Sequence, residues 1–173
     1  MNTRIVGFLL CAFLSVSAAQ SAPEENLAKL GLTLPATSAP VANYVSAVRS
    51  GSLLFLSGHL PRDGAGKVIT GKIGRDLDEA AGANASRQTA LALLATLKTE
   101  LGSLDRVKRI VRVGGFVNCT DDFTRQPAVI NGCSDLLVAV FGDSGRHTRA
   151  AIGVSSLPAG AAVEIDLVVE IAD

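Results

Sequence analysis

The sequence predicts an α+β fold, a mixed β-sheet with two helices packed on one face. Strand-like and helix-like segments follow one another in the order β-β-(β)-α-β-α-β-β along 173 residues, a length typical of one domain. Helices that alternate with strands favour a mixed sheet, because such a helix carries the chain to a parallel strand. Hydrophobic residues make up 48% of the chain, with one tyrosine and no tryptophan, so the core is expected to be aliphatic.

The first 19 residues have the pattern of a secretory signal peptide. Arg4 supplies a positive charge, residues 5–16 are apolar, and Ser17 and Ala19 are the small residues expected before a cleavage site. The apolar run is shorter than the about 20 residues that span a bilayer, so an uncleaved anchor is the less favoured alternative. We expect cleavage near Ala19, a secreted or periplasmic mature chain, and no stable membrane anchor.

Residues 20–40 are expected to form an N-terminal arm, and residues 41–173 the domain. The arm contains three prolines and one short helical segment, residues 24–30, which ends at Gly31. The domain begins with short strands on either side of the turn signal Ser50-Gly51. These strands are expected at 44–48 and 53–57, with a further short strand at 67–70 left open.

Two longer segments have the spacing of amphipathic helices. Residues 77–101 repeat apolar side chains every three or four positions and stop at Gly102, and residues 124–141 do so before Gly142. The apolar segment 107–117 between them is predicted to be a strand. The first helix is therefore expected to join two parallel strands.

Residues 147–173 are predicted to form a β-hairpin, because two alternating segments flank a short loop. If the loop has two or four residues, Ala151 lies opposite Glu164, and Arg149 lies opposite Asp166. Arg149 and Glu164 would then be close together on the polar side of the hairpin, away from the helices, a face that we expect to be an oligomer surface. They form either an ion pair or a site where arginine holds a carboxylate and glutamate handles a proton.

Charge and cysteine spacing argue against two classes of function. The chain has 16 basic and 16 acidic residues, and removal of Arg4 with the signal peptide leaves 15 and 16, a net charge of −1. Nucleic-acid-binding proteins usually carry a basic excess, so we expect no nucleic-acid partner.

Cys119, in a loop, and Cys133, on the buried helix stripe, are expected to be free thiols. No Cys or Cys/His spacing suggests a metal site.

Several motifs occur in an order that resembles the RidA/YjgF family. They are Tyr44, Leu56-Ser57-Gly58-His59-Leu60-Pro61, Gly71-Lys72-Ile73-Gly74, Leu104-Asp105-Arg106-Val107, Gly115-Phe116-Val117-Asn118, Asp122-Phe123, and Arg149 followed by Leu157-Pro158 and Val163-Glu164-Ile165. The resemblance covers residues 26–172. The chain resembles in particular the branch of endoribonuclease L-PSP/chorismate mutase-like proteins, in the segments Phe141-Gly142 and Gly145-Arg146-His147.

The resemblance implies a chorismate-mutase-like fold and a homotrimer with clefts between subunits. It implies that Arg149 binds a substrate carboxylate and that Glu164 positions a water, while Tyr44, Ser57 and Gly58 help to line the pocket. The implied reaction is hydrolysis of enamine or imine intermediates, such as 2-imino acids, to 2-oxo acids and ammonia, with no cofactor and no metal.

The chain departs from many deaminases of the family at Ala151, where they have a cysteine that also touches the water. Its second helix is longer, so either Asn131 or Ser134 could supply the pocket residue of that helix. His147 is expected at an edge or interface, or to tune the pocket near neutral pH. A trimer that binds a small carboxylate without turnover is the alternative function. RNA cleavage is the weakest candidate, because a net charge of −1 attracts no phosphates.

Overall fold

The computed structural model describes residues 22–37 and 43–172; the predicted signal peptide and part of the predicted arm lie outside these ranges. The elements are α1 Pro23–Lys29, β1 Ala47–Ser50, β2 Leu53–His59, α2 Glu79–Leu101, β3 Val107–Asn118, α3 Gln126–Phe141, β4 Thr148–Val154 and β5 Val163–Ile171, with 3-10 turns at Leu104–Arg106, Gly142–Gly145 and Pro158–Gly160. The five strands form one sheet in the order β1-β2-β5-β3-β4.

The predicted mixed sheet with two helices on one face is confirmed. Strand β5 is antiparallel to both of its neighbours, β2 and β3, which therefore run parallel to each other and are joined by α2. Helix α3 joins β3 to β4, which pair in parallel. Both helices contact the sheet on the same side, and the short α1 packs against α3.

The prediction of a C-terminal hairpin is wrong, because β3 lies between β4 and β5. Strand β5 has five side chains buried on one face and half-buried side chains on the other, and a strand of this kind is most stable with a neighbour on each side. Strand β4 is rich in small residues, is largely exposed, and lies at the edge.

The segment 67–70 forms only isolated bridges, at Val68 and Thr70, so it is not a strand.

The helices begin, end and pack where the sequence provides the necessary side chains. The Asp78 carboxylate accepts a hydrogen bond from the amide of Ala81 at 2.7 Å and caps α2, and Gly102 ends that helix with a left-handed φ of 79°. A Cβ atom on Gly132 of α3 would overlap the carbonyl oxygen of Ala83, so only glycine permits this close helix contact. The two helices therefore pack almost backbone to backbone.

The core lies between the helices and one face of the sheet. On that face β5 contributes five side chains that are at most 1% exposed: Val163, Ile165, Leu167, Val169 and Ile171. The other side of the sheet, here called the open face, carries apolar side chains that remain about half exposed: Val48 (55%), Phe55 (44%) and Ile152 (50%). The predicted oligomer contacts would cover this surface.

Both cysteines of the described segments are buried free thiols, as predicted. Cys119 follows β3, and Cys133 is on the buried side of α3. No helix in residues 22–37 and 43–172 is long and apolar enough to cross a membrane.

Candidate functional site

Arg149 and Glu164, which the hairpin would have placed together, lie on opposite faces of the sheet. Arg149 pairs with Val113 of β3, and Val113 pairs with Leu167 of β5, so these three residues point toward the helices. Glu164 pairs with Phe116 and points to the open face. The predicted polar face containing both groups is therefore wrong, because the intervening strand changes the register. The predicted site residues separate into two groups.

The first group, the arginine half-site, consists of Arg149, Asn131, Ser134 and His147. The Nη1 atom of Arg149 donates to Asn131 Oδ1 at 2.8 Å and to Ser134 Oγ at 3.0 Å. Asn131 and Ser134 are one turn apart on α3, so both face β4. Both helix candidates therefore contact Arg149. They use both Nη1 hydrogens, while Nε and Nη2 have no partner among the described residues, which leaves one edge of the guanidinium for a ligand.

His147 extends this half-site. Its Nε2 atom lies 3.0 Å from Ser134 Oγ, and its Nδ1 atom lies 2.6 Å from the carbonyl oxygen of Gly145. A carbonyl only accepts, so Nδ1 carries the hydrogen and Nε2 accepts from the Ser134 hydroxyl. Burial lowers the pKa of His147, against the hydrogen bond to Gly145, and the charge of Arg149 lowers it further. Burial and the charge of Arg149 therefore both favour the neutral imidazole.

The second group, the glutamate half-site, consists of Glu164, Gly58, Ser57 and Tyr44. A Cβ atom on Gly58 would overlap Oε1 of Glu164, so the glycine provides space for this carboxylate. The Ser57 hydroxyl donates to the carbonyl of Val45 at 2.7 Å, which holds the segment containing Tyr44 against β2. Tyr44 is 52% exposed. Gly58 therefore lies beside Glu164, and the bond from Ser57 to Val45 joins the segment of Tyr44 to the same strand, while Arg149 is not in this group.

The environment of Glu164 favours its protonated form. Burial raises the pKa of this carboxyl, and the nearby charge of Asp166 raises it further. Asp166 itself pairs with Arg112 at 2.9 Å, whereas the described residues give Glu164 no hydrogen-bonding partner. A half-buried carboxylate with a raised pKa is a stronger base than an exposed one and suits proton transfer.

Glu164→Gln is expected to stabilise the chain at pH 7 and to have little effect near pH 4. The folded-state pKa is raised, so the ionised carboxylate opposes folding once the pH exceeds its unfolded value, and this cost is absent where both states are protonated. Urea unfolding at the two pH values measures the difference, with Glu100→Gln, an exposed carboxylate outside the sheet, as the control. A larger stabilisation at pH 4 than at pH 7 would contradict the assignment.

Two pockets in the described part of the chain lie away from both half-sites. A pocket of about 550 Å³ lies between residues 34–37 and the end of α2, and another of about 300 Å³ is lined by Cys119, Gln126 and Gly153 among others. Neither includes Arg149 or Glu164. The described segments also contain no group of three His, Cys, Asp or Glu side chains that could hold a metal ion.

Comparison with known proteins identifies the family. The family model described as "YjgF/chorismate mutase-like, putative endoribonuclease" matches residues 24–171. The chain belongs to this family. The sequence motifs that resemble the RidA/YjgF family, and not the geometry of the two half-sites, indicate this membership.

Relatives with substantial identity cover nearly the whole chain. Protein TCP17 of Trypanosoma cruzi is 49% identical over 147 residues, which are 84% of this chain and 92% of the relative. Among solved structures, Atu1372 of Agrobacterium tumefaciens, a protein of unknown function, is 44% identical with a TM-score of 0.80 and covers 87% of this chain and 94% of its own. A protein of Shewanella oneidensis named as a candidate endoribonuclease is 34% identical with a TM-score of 0.84, over 87% of this chain and 100% of its own.

A more distant solved structure contains a ligand. Escherichia coli TdcF, with bound serine, is 21% identical with a TM-score of 0.56 and covers 82% of this chain and 97% of its own. At this identity the likeness shows the fold alone.

Proposed function

We propose that the protein hydrolyses small enamine or imine intermediates, specifically 2-imino acids, to 2-oxo acids and ammonia, in clefts between the subunits of a homotrimer. From the N-terminal pattern we also propose that it acts after export. The observation that carries the proposed activity is the Nε/Nη2 edge of Arg149, to which no described residue hydrogen-bonds, while two bonds from Nη1 to α3 fix the guanidinium plane.

A guanidinium edge with two parallel N–H donors matches the geometry of a carboxylate. Because Asn131 and Ser134 already hold the other side of the group, little side-chain freedom is lost when a ligand binds. A 2-imino acid carries its carboxylate next to the C=N carbon. Binding of that carboxylate therefore places the electrophilic carbon at a defined distance from the sheet edge. The serine bound to TdcF is likewise a small molecule with a carboxylate.

The two half-sites complete one cleft only if they come from different chains. Arg149 is on the edge strand β4, and Glu164 is on the open face of β5, two strands away. A head-to-tail arrangement that sets β4 of one subunit against the β2 side of the next would bring them together, and with a rotation of one third of a turn per subunit such contacts close into a trimeric ring. The exposed apolar side chains Val48, Phe55 and Ile152 on the open face support burial of that face by neighbouring subunits.

In such a cleft, Glu164 would accept a proton from a water as the water attacks the imine carbon. The water oxygen bonds to carbon, the C=N electrons move to nitrogen, and nitrogen takes up the proton that Glu164 removed from the water. General-base assistance of this kind contributes about a hundredfold or more to a rate. An imine is already electrophilic, so this scheme needs only the groups of the chain.

Binding without turnover is the second candidate, and Ala151 favours it. Its methyl group packs against the core and cannot hydrogen-bond to a water. In that case the Arg149 cleft would hold a small carboxylate unchanged. RNA cleavage, which the family name mentions, receives no support from the half-sites, since Arg149 is the one cation in either.

A pair of substrates tests the activity. An amino-acid oxidase generates a 2-imino acid in solution, and an amine oxidase generates an imine without a carboxylate. The wild-type protein is expected to accelerate ammonia release from the first at least about tenfold more than from the second, because only the first engages Arg149. Equal acceleration of both would contradict the proposal. No acceleration, with calorimetric binding of 2-oxo acids, would favour the binding module.

A further inference from the structure

We propose that Asp166 keeps Arg112 away from Glu164, so that the Glu164 carboxylate has no ion-pair partner in its own chain and can take a proton from water. Asp166 and Arg112 are then positioning residues, because they act on the reaction through Glu164 and do not contact the substrate. This role rests on the proposed function, in which Glu164 is the base. It follows from the placement of the three side chains on the open face of the sheet.

Glu164 and Asp166 are neighbours on one face of β5. They are two positions apart in the strand, so both side chains are on the open face, with Cβ atoms about 7 Å apart. Asp166 pairs with Gly114 of β3, and Glu164 pairs with Phe116. A cation that lies over Gly114 is therefore close to both carboxylates.

The guanidinium of Arg112 lies over Gly114. Its Nη1 atom donates to Asp166 Oδ1 at 2.9 Å. A Cβ atom on Gly114 would be 2.9 Å from the same Nη1 and 2.6 Å from Asp166 Oδ2, so the ion pair occupies the space that a larger residue would fill. Arg112 pairs with Val168, one step further from Glu164 along this face. Its side chain therefore extends along the sheet toward Glu164 and stops at Asp166.

Glu164 is the next carboxylate beyond this ion pair. Diagonal neighbours on adjacent strands are about 7–8 Å apart, a gap that long side chains can cross. Gly114 and Glu164 are such neighbours, so the guanidinium over Gly114 is within one side-chain movement of Glu164. Without Asp166, Arg112 would have Glu164 as its nearest carboxylate on this face. An ion-paired glutamate is a weaker base, because the cation stabilises its charged form.

The other titratable groups that the described segments pack around Glu164 are Tyr44, His59 and Glu170. Tyr44 is 52% exposed in the segment before β1, and the His59 imidazole is on the opposite face of β2. Glu170 shares the open face of β5 but is six positions, about 20 Å, from Glu164. Burial raises the pKa of Glu164, and the charge of Asp166 raises it further, as expected for a carboxylate next to an anion and without a cation of its own.

Two substitutions that break the same ion pair are expected to move the pKa of Glu164 in opposite directions. Asp166→Asn removes the neighbouring negative charge and releases Arg112, so the pKa should fall. Arg112→Gln leaves the charge of Asp166 uncompensated, so the pKa should rise. Carbon NMR of the full chain with labelled glutamate measures both titrations, and the Glu164 signal is assigned by its loss in Glu164→Gln. A purely structural effect of losing the ion pair would shift both variants in one direction.

Ammonia release from a 2-imino acid should follow the same order. Asp166→Asn is expected to lower kcat about tenfold, a part of the about hundredfold that a general base contributes, and to move the acidic limb of the pH profile to lower pH. Arg112→Gln should keep kcat within about threefold and move that limb to higher pH. The calorimetric affinity for the matching 2-oxo acid should stay within about threefold in both, because neither residue contacts Arg149.

Glu170→Gln is a matched control. It removes a carboxylate from the same face of the same strand, about 20 Å from Glu164. The pKa of Glu164, kcat and the pH profile should all stay as in the wild type.

The NMR titrations and the kinetics fail in different ways. If the wild type turns over and the two variants leave the pKa of Glu164 unchanged, or move it in one direction, the role of Asp166 is refuted and the proposed function stands. Wild-type protein without turnover would overturn the proposed function, and with it any role of Asp166 in hydrolysis. Opposite shifts of the pKa with matching shifts of the pH profile would support both.

Discussion

Arg149→Ala is expected to reduce kcat/KM for a 2-imino acid by at least about 100-fold, since two charge-assisted hydrogen bonds contribute about 1.5–3 kcal/mol each and 1.4 kcal/mol corresponds to a factor of ten. The loss should appear in ligand affinity as well as in rate, because the carboxylate bonds exist before and during reaction. Ammonia release and calorimetry with the matching 2-oxo acid measure the two effects.

Two other variants separate the role of the guanidinium fork from that of charge. Arg149→Lys keeps the charge but has no planar fork, so an intermediate activity is expected. Arg146→Ala removes an arginine three residues earlier whose side chain is 73% exposed and paired with Asp143, and activity should not change. Arg149→Ala activity within threefold of the wild type would show that the cleft does not depend on this guanidinium.

The architecture of the sheet and helices could be predicted because each long element carries its own pattern. The buried stripe of α3, with Cys133 at its centre, repeats at helical spacing, and Gly102 marks the end of α2. Strand order has no such local signal. The alternation of β4 and β5 is equally consistent with a hairpin and with two strands separated by β3. The longer apolar face of β5 and the small residues of β4 are consistent with a central and an edge strand, but they do not specify which strand lies between the two.

The lack of a local sequence signal for strand order also limited what could be predicted of the site. The alternating pattern and the family motifs both pointed to Arg149 and Glu164. The resemblance left open whether Asn131 or Ser134 is the pocket residue of α3, and the structure brings both into contact with Arg149. Strand β3 lies between β4, which carries Arg149, and β5, which carries Glu164, so these two strands do not pair with each other. The faces on which the two side chains lie therefore depend on how each strand is aligned with β3. The bond between Ser134 and His147 joins two elements 13 residues apart, and no spacing rule predicts it.

Mixed oligomers provide the second test in which a large effect is expected. Arg149→Ala and Glu164→Ala should each be inactive alone, yet chains of the two variants unfolded together and refolded together should regain about a quarter of wild-type activity, because in a random head-to-tail ring that fraction of clefts receives both native residues. The recovery follows from the placement of the two side chains on opposite faces of one sheet. A site within a single chain could not recover, since every chain would lack one of its two groups.

A double variant provides the control for mixing. Arg149→Ala refolded with the chain carrying both substitutions has no native arginine in any cleft, so it should stay at background however well the chains assemble. Size-exclusion chromatography with light scattering establishes that both mixtures form the same oligomer. If both mixtures form the same oligomer and only the first regains activity, Arg149 of one subunit lies beside Glu164 of its neighbour. Equal oligomers with no recovery in either would refute the shared cleft, and Glu164 would then have no route to the carboxylate held by Arg149.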